Sequence, residues 1–261
     1  MNVHQGAVRQ RVFSYGTMAD RMAATGLALG LLAGAAAAFS GFGTRWGLWN
    51  FMTGLTLLRA AAIGGGIAAV LSLVGGVIAR PERRRSIFSA SAAGILIGLI
   101  VAGVPLFWAY RAGRLPMIHD ITTDSENPPQ FKAVMALRQG AANPATYGGP
   151  EIAAQQASAY PDIRPFTLPE SPQTAFNKAL LTAMSMGWQI VDSSIQEGRI
   201  EAVATTFWFG FKDDIVIRVA PVPDGSRVDV RSTSRVGRSD VGTNAARVRT
   251  FLARMNAPGG Q

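Results

Sequence analysis

The chain contains no cysteine. Disulfides, thiolate metal sites, cysteine nucleophiles and a lipobox-type lipid anchor are thereby excluded. Histidine is nearly absent. His4 and His119 are far apart and do not make a zinc site of the usual His-rich kind. The sequence has no Gly-x-Ser-x-Gly elbow and no histidine placed for a triad, so it leans against an enzyme and indicates no cofactor. Acidic residues are scarce in one half only. Residues 1–119 carry 2 Asp+Glu against 11 Lys+Arg, whereas residues 120–261 carry 14 of each. The formal net charge of +9 therefore belongs wholly to the first half, where it lies between apolar runs. Such flanks are membrane-topology signals rather than a nucleic-acid footprint, so no nucleic-acid partner is expected.

Three runs in that half lack charge: residues 22–44, 60–79 and 86–110. Each is long enough to cross a hydrocarbon core of about 30 Å as a helix. The expected spans are about 22–42, 60–79 and 87–109, after a cytoplasmic tail at 1–21. The short loop Arg80-Pro81-Glu82-Arg83-Arg84-Arg85 is strongly basic and predicts a cytoplasmic position, as do Arg9, Arg11 and Arg21. Everything after Tyr110 then lies outside, opposed weakly by Arg111 and Arg114. The expected location is the bacterial plasma membrane, with a periplasmic C-terminal domain. Small residues at Ala35 to Ala38 and Ser40 leave open a cleaved signal peptide, which gives the same placement for the C-terminal half. Gly26, Gly30 and Gly34, and Gly94 and Gly98, form close-approach faces, either for a homo-oligomer or for packing within one bundle. The absence of ionisable residues in the runs argues against a transporter. Trp46, Trp49, Trp108 and Tyr110 suit the lipid headgroup level.

Residues 111–162 are broken repeatedly by proline and read as a connecting segment, with short helices at 130–139 and 151–159. Residues 163–257 read as an α+β domain. Strands fall at 163–168, 188–192, 199–207, 214–220 and 227–236. A helix opens at Ser171-Pro172 and ends at Gly187, and another runs over 239–255 with the stripe Val241, Ala245, Val248, Leu252 and Met255. The order is β-α-β-β-β-β-α, as in TATA-binding-protein-like and helix-grip folds, and predicts an antiparallel sheet with both helices on one face.

The most site-like stretch is Phe209-Gly210-Phe211-Lys212-Asp213-Asp214, followed by Arg231-Ser232-Thr233-Ser234-Arg235-Val236-Gly237-Arg238-Ser239-Asp240-Val241-Gly242-Thr243-Asn244 and then Arg247. On these motifs, residues 120–255 resemble the bacterial and plastid family called domain of unknown function 1499. Many of its members begin with an Asn-Cys-Val-Ser segment, where this chain has His119-Asp120-Ile121-Thr122-Thr123-Asp124. The resemblance implies no activity. Strand alternation puts Arg227, Asp229, Arg231, Thr233 and Arg235 on one face and Val228, Val230, Ser232, Ser234 and Val236 on the other. Asp213 and Asp214 should point to opposite faces, and one should pair with Arg231 or Arg235. Ser239 or Asp240 can cap the last helix. Asp213, Asp214, Arg231, Ser232, Ser234, Arg235, Ser239, Asp240, Asn244 and Arg247 are thus candidates for a small anionic or polar ligand in a binding or envelope-interaction module, with two alternatives: an envelope-acting enzyme using the Ser, Asp and Arg of the motif, or a structural network in a purely structural envelope protein.

Overall fold

The computed structural model describes residues 3–79 and 85–257, with side chains from Met18 onward. Arg80 to Arg84, and the side chains of Arg9 and Arg11, lie outside the described residues. The chain divides into two compact units. One comprises Met1–Tyr110 with Trp208–Gly210, and the other Arg111–Phe207 with Phe211–Gln261.

The first unit is built on α1 (Val3–Arg45), α2 (Phe51–Ile78) and α3 (Arg85–Ala112). Within them Met18–Arg45, Phe51–Ile78 and Arg85–Ala112 are long and apolar enough to cross a membrane. The helix of α1 extends back to Val3, through the stretch read as a tail. α2 starts at Phe51 because Asn50 caps it, accepting from Thr53 N at 2.9 Å. Arg59 consequently lies inside that helix, exposed, where a long basic side chain can snorkel toward headgroups.

The glycine faces meet one another within this chain. A Cβ on Gly26 would lie 2.8 Å from Ser72 N, and one on Gly75 would lie 2.7 Å from Ala23 N. A Cβ on Gly98 would lie 2.8 Å from Ala69 N, and one on Gly65 would lie 3.0 Å from Gly98 O. Backbones pass this closely only where side chains are absent.

The second unit is an α+β domain. Its strands are β1 (Asp120–Thr122), β2 (Phe166–Leu168), β3 (Gln189–Ser194), β4 (Arg199–Thr205), β5 (Lys212–Val222) and β6 (Gly225–Ser234). Its helices are α4 (Gly149–Ala159), α5 (Pro172–Ser185) and α6 (Thr243–Asn256), with a 3-10 helix at Ala133–Arg138. The sheet runs β1-β6-β5-β4-β3, and β2 also pairs with β6. Every pairing is antiparallel. β1 and β2 share one edge of β6, at residues 231–233 and 226–228 respectively. β1 was not legible as a strand in the sequence, since three residues carry no periodicity.

Ser171 caps α5 as expected, accepting from Thr174 N at 3.2 Å. Both long helices cover one sheet face. Ile200, Ile215, Ile217, Val228 and Val230 are buried there with Phe176, Ala179, Val248 and Phe251, and Trp188 stacks on Phe251 at 5.6 Å. Val241 is not part of the α6 stripe. It sits in the turn before the helix with φ 52, and Phe251 takes the buried place. The opposite sheet face is also covered. Phe131 and Val134 of the connecting segment bury Val203 and Val216. The segment's prolines thus serve a layer of the domain rather than a free linker.

Candidate functional site

β6 carries the motif, and its alternation sends alternate side chains into two different buried layers. On the face under the connecting segment, Arg231 is completely buried. Its Nε and Nη2 donate to the two Asp120 oxygens at 3.0 and 2.7 Å. Nη2 also donates to Ala145 O at 2.7 Å, and Nη1 to Pro129 O at 3.2 Å. The guanidinium lies 4.9 Å from the Phe131 ring centre and 5.4 Å from that of Tyr147. Such forked, stacked pairing suits arginine alone among cations. Burial pushes the Tyr147 hydroxyl up to about 12, with Asp120 adding and Arg231 opposing.

One step along, Asp214 accepts from Arg235 Nη2 at 2.7 Å and pairs with Arg138. Arg235 Nη1 donates to Leu137 O at 2.7 Å. Further down, Asp229 takes Arg218 at 2.7 Å and Arg227 at 3.0 Å, and both guanidiniums also hold Asp124. Burial raises the Asp124 pKa, but the Asn127 N–H, Arg218 and Arg227 outweigh it, leaving the group below its ordinary value. Glu201, fully buried in β4, accepts from Lys132 N, Ala133 N and Val134 N at 2.9 to 3.0 Å, and also pairs with Arg199. Its carboxylate thus caps the 3-10 helix across the sheet, by the same physics as an N-cap.

On the helix face, the valines of β6 give way to Ser232 and Ser234 at the end nearest α6. Asn244 fits between them. Ser232 Oγ donates to Asn244 Oδ1 at 2.7 Å, while Asn244 Nδ2 donates to Ser234 Oγ at 3.0 Å and His119 O at 2.9 Å. Arg247 reaches Asp213 at 2.6 Å and Ser232 Oγ at 2.9 Å, and also bonds Asn244. Asp240 accepts from Gly242 N at 3.0 Å and from Asn244 N, holding the start of α6. Ser239 Oγ accepts from Val241 N at 3.2 Å. Burial pushes the Asp240 carboxyl up, opposed by the Asn244 and Gly242 N–H groups. Asp213 adds to the rise and Arg247 opposes it.

Asp213 and Asp214 do point to opposite faces, and Asp214 does pair with Arg235. The ten residues singled out in the sequence therefore fall into two clusters. Asp213, Ser232, Ser234, Ser239, Asp240, Asn244 and Arg247 gather at the start of α6. Asp214, Arg231 and Arg235 join the layer beneath the connecting segment. In both clusters the ionised groups meet protein partners. Reasoning from sequence missed Asp120, Asp124, Arg138, Arg199, Glu201 and Arg218. Charges inside alternating strands were the available signal, because a strand with one open face does not bury Glu201 beside apolar neighbours.

Apart from the motif, a groove of about 560 Å³ opens between residues 123–127, α4 and residues 160–165. Its polar lining includes Asp124, Glu126, Gln156, Arg164 and Arg227. Among the described residues no cluster of His, Asp or Glu is placed to hold a metal ion.

A family model described as "Protein of unknown function (DUF1499)" matches residues 120–255, more than half of the chain. No curated protein and no solved structure matches it significantly.

Proposed function

We infer that this chain, which belongs to the family described as protein of unknown function (DUF1499), is an integral protein of a bacterial plasma membrane whose α+β unit is a periplasmic binding module. The basic residues around the apolar runs support the orientation. The module's ligand is small and polar or anionic, and its place is the open groove beside α4. The motif residues serve as the framework that keeps that groove's walls in register.

One contrast carries this reading. The ionised groups among the ten candidate residues are matched inside the fold, whereas Arg164 stands exposed at the groove with its Nε on Pro161 O at 2.9 Å. Concave surfaces with a few convergent polar groups are where small ligands bind. Chemistry at the motif would first require a carboxylate freed from its guanidinium, and Asp213 and Asp214 cannot cooperate across the sheet. The glycine packing seen inside the helical unit favours a bundle made by one chain over a dimer through those faces.

Native mass spectrometry of the detergent-purified full chain tests the binding role. A small molecule that co-purifies with the wild type and is lost in Arg164→Ala, with the circular dichroism spectrum unchanged, supports it. A consistently empty protein contradicts it.

A further inference from the structure

The loop between β4 and β5 reads Thr206-Phe207-Trp208-Phe209-Gly210-Phe211 and carries no charge. It is closed at its base by Thr206 N donating to Phe211 O at 2.8 Å and Phe211 N donating to Thr206 Oγ1 at 2.9 Å. Its tip, Trp208–Gly210, belongs to the compact unit of the three long helices. Within that unit Trp208 Nε1 donates to Ala38 O of α1 at 3.0 Å. Trp49 Nε1 donates to Ser40 O at 3.1 Å, so two indoles bond carbonyls near the end of the same helix.

Glycine makes room for this tip. The Trp208 ring covers Gly41, so any Cβ there would collide with it. A Cβ on Gly54 would lie 3.0 Å from Phe209 Cε1, and one on Gly210, at φ 68, would lie 3.1 Å from Arg45 Cα. Trp208 and Phe209 meet edge to face at 5.0 Å. Ala38 lies inside the apolar span that ends at Arg45. At about 1.5 Å per residue, the indole is seated roughly two turns from the end of that span. Trp46 and Leu48, beside it in sequence, are more than three-fifths exposed, and Phe207 is 78% exposed. Exposed aromatics at the end of a membrane span sit at the headgroup level.

We propose that the hairpin tip at residues 207–211 is a second, non-helical membrane anchor, which enters a phospholipid bilayer at headgroup depth and delivers Phe207 to the lipid. This rests on the membrane reading of the three helices.

The natural absence of cysteine makes the test direct. Single-cysteine variants Phe207→Cys, Phe107→Cys on the exposed face of α3, and Asp224→Cys in the β5–β6 turn are labelled with bimane. Each is reconstituted as full chain in phosphatidylcholine–phosphatidylglycerol vesicles. Bimane at 207 should lose fluorescence to lipids nitroxide-labelled near the headgroup and resist aqueous iodide. Bimane at 224 should do the reverse. If 207 follows 224 while 107 stays lipid-quenched, the tip anchor is overturned and the membrane reading stands. If 107 is also quenched by iodide alone, both are overturned.

Discussion

Arg231 occupies the position where sequence and structure inform each other most. Its alternation with Val230 and Ser232 was legible from the strand pattern, and so was its need for a carboxylate. Its partner was not. Asp120 lies on a three-residue strand distant in sequence, within the segment that departs from the family's Asn-Cys-Val-Ser pattern, and only the β1–β6 pairing brings it opposite Thr233. Because Asp120 is 4% exposed, removing the guanidinium leaves an uncompensated buried charge. Arg231→Ala should therefore destabilise the α+β unit by about 3–5 kcal/mol, read as a lowered midpoint in chemical denaturation of the purified protein. Arg231→Lys should recover little of the loss, since an ammonium cannot make the bidentate contact to Asp120 while also reaching Ala145 O and Pro129 O. A second residue gives a pH signature. The folded-state pKa of Asp240 is raised above 3.8, so the folded chain takes up this proton before the unfolded chain does. Burying the charge weakens the fold above the raised pKa, and the penalty fades as pH falls through it toward 3.8. Asp240→Asn removes the penalty. The Tm of the variant relative to wild type should be highest near neutral pH and decline on acidification; a constant difference would show that Asp240 does not titrate in this way.

At the scale of elements, β6 organises the domain. It is flanked by β5 along its whole length and by β1 and β2 end to end on its other edge. The order β-α-β-β-β-β-α was legible because α5, α6 and the long strands are periodic and punctuated by Ser171-Pro172, Gly187 and Pro223-Asp224-Gly225. The second covering layer was not, because Phe131, Val134 and Arg138 come from a proline-broken segment whose fold depends on distant partners such as Glu201. The apolar helices allow a comparison between glycines of one type in two settings. A Cβ on Gly98 meets the backbone of Ala69 at 2.8 Å, whereas one on Gly66 has nothing within 4 Å. Gly98→Ala should lower stability in detergent by about 1–3 kcal/mol through overpacking. Gly66→Ala should be neutral or slightly stabilising, because alanine is the better helix former. Equal effects in thermal-aggregation assays would contradict the intrachain packing of α2 against α3.

The whole molecule pairs a charge-poor helical unit with a domain whose buried ions are numerous and paired. Residues 120–261 carry 14 basic and 14 acidic residues, and much of that balance is spent inside the domain, on Asp120, Asp213, Asp214, Asp229 and Glu201 with their arginines. The basic excess stays with the apolar runs, as membrane orientation requires. The proposed architecture is therefore a rigid, ion-latticed module held outside the cytoplasm by three helices. The cysteine-free sequence allows its most direct test: Asp224→Cys and Ser86→Cys, each the sole cysteine in the full chain, are treated in intact cells with a maleimide that cannot cross the plasma membrane, after the outer envelope is made permeable. Labelling at 224 without lysis, and at 86 only after lysis, is the predicted result; labelling at 86 in intact cells with 224 protected would contradict it.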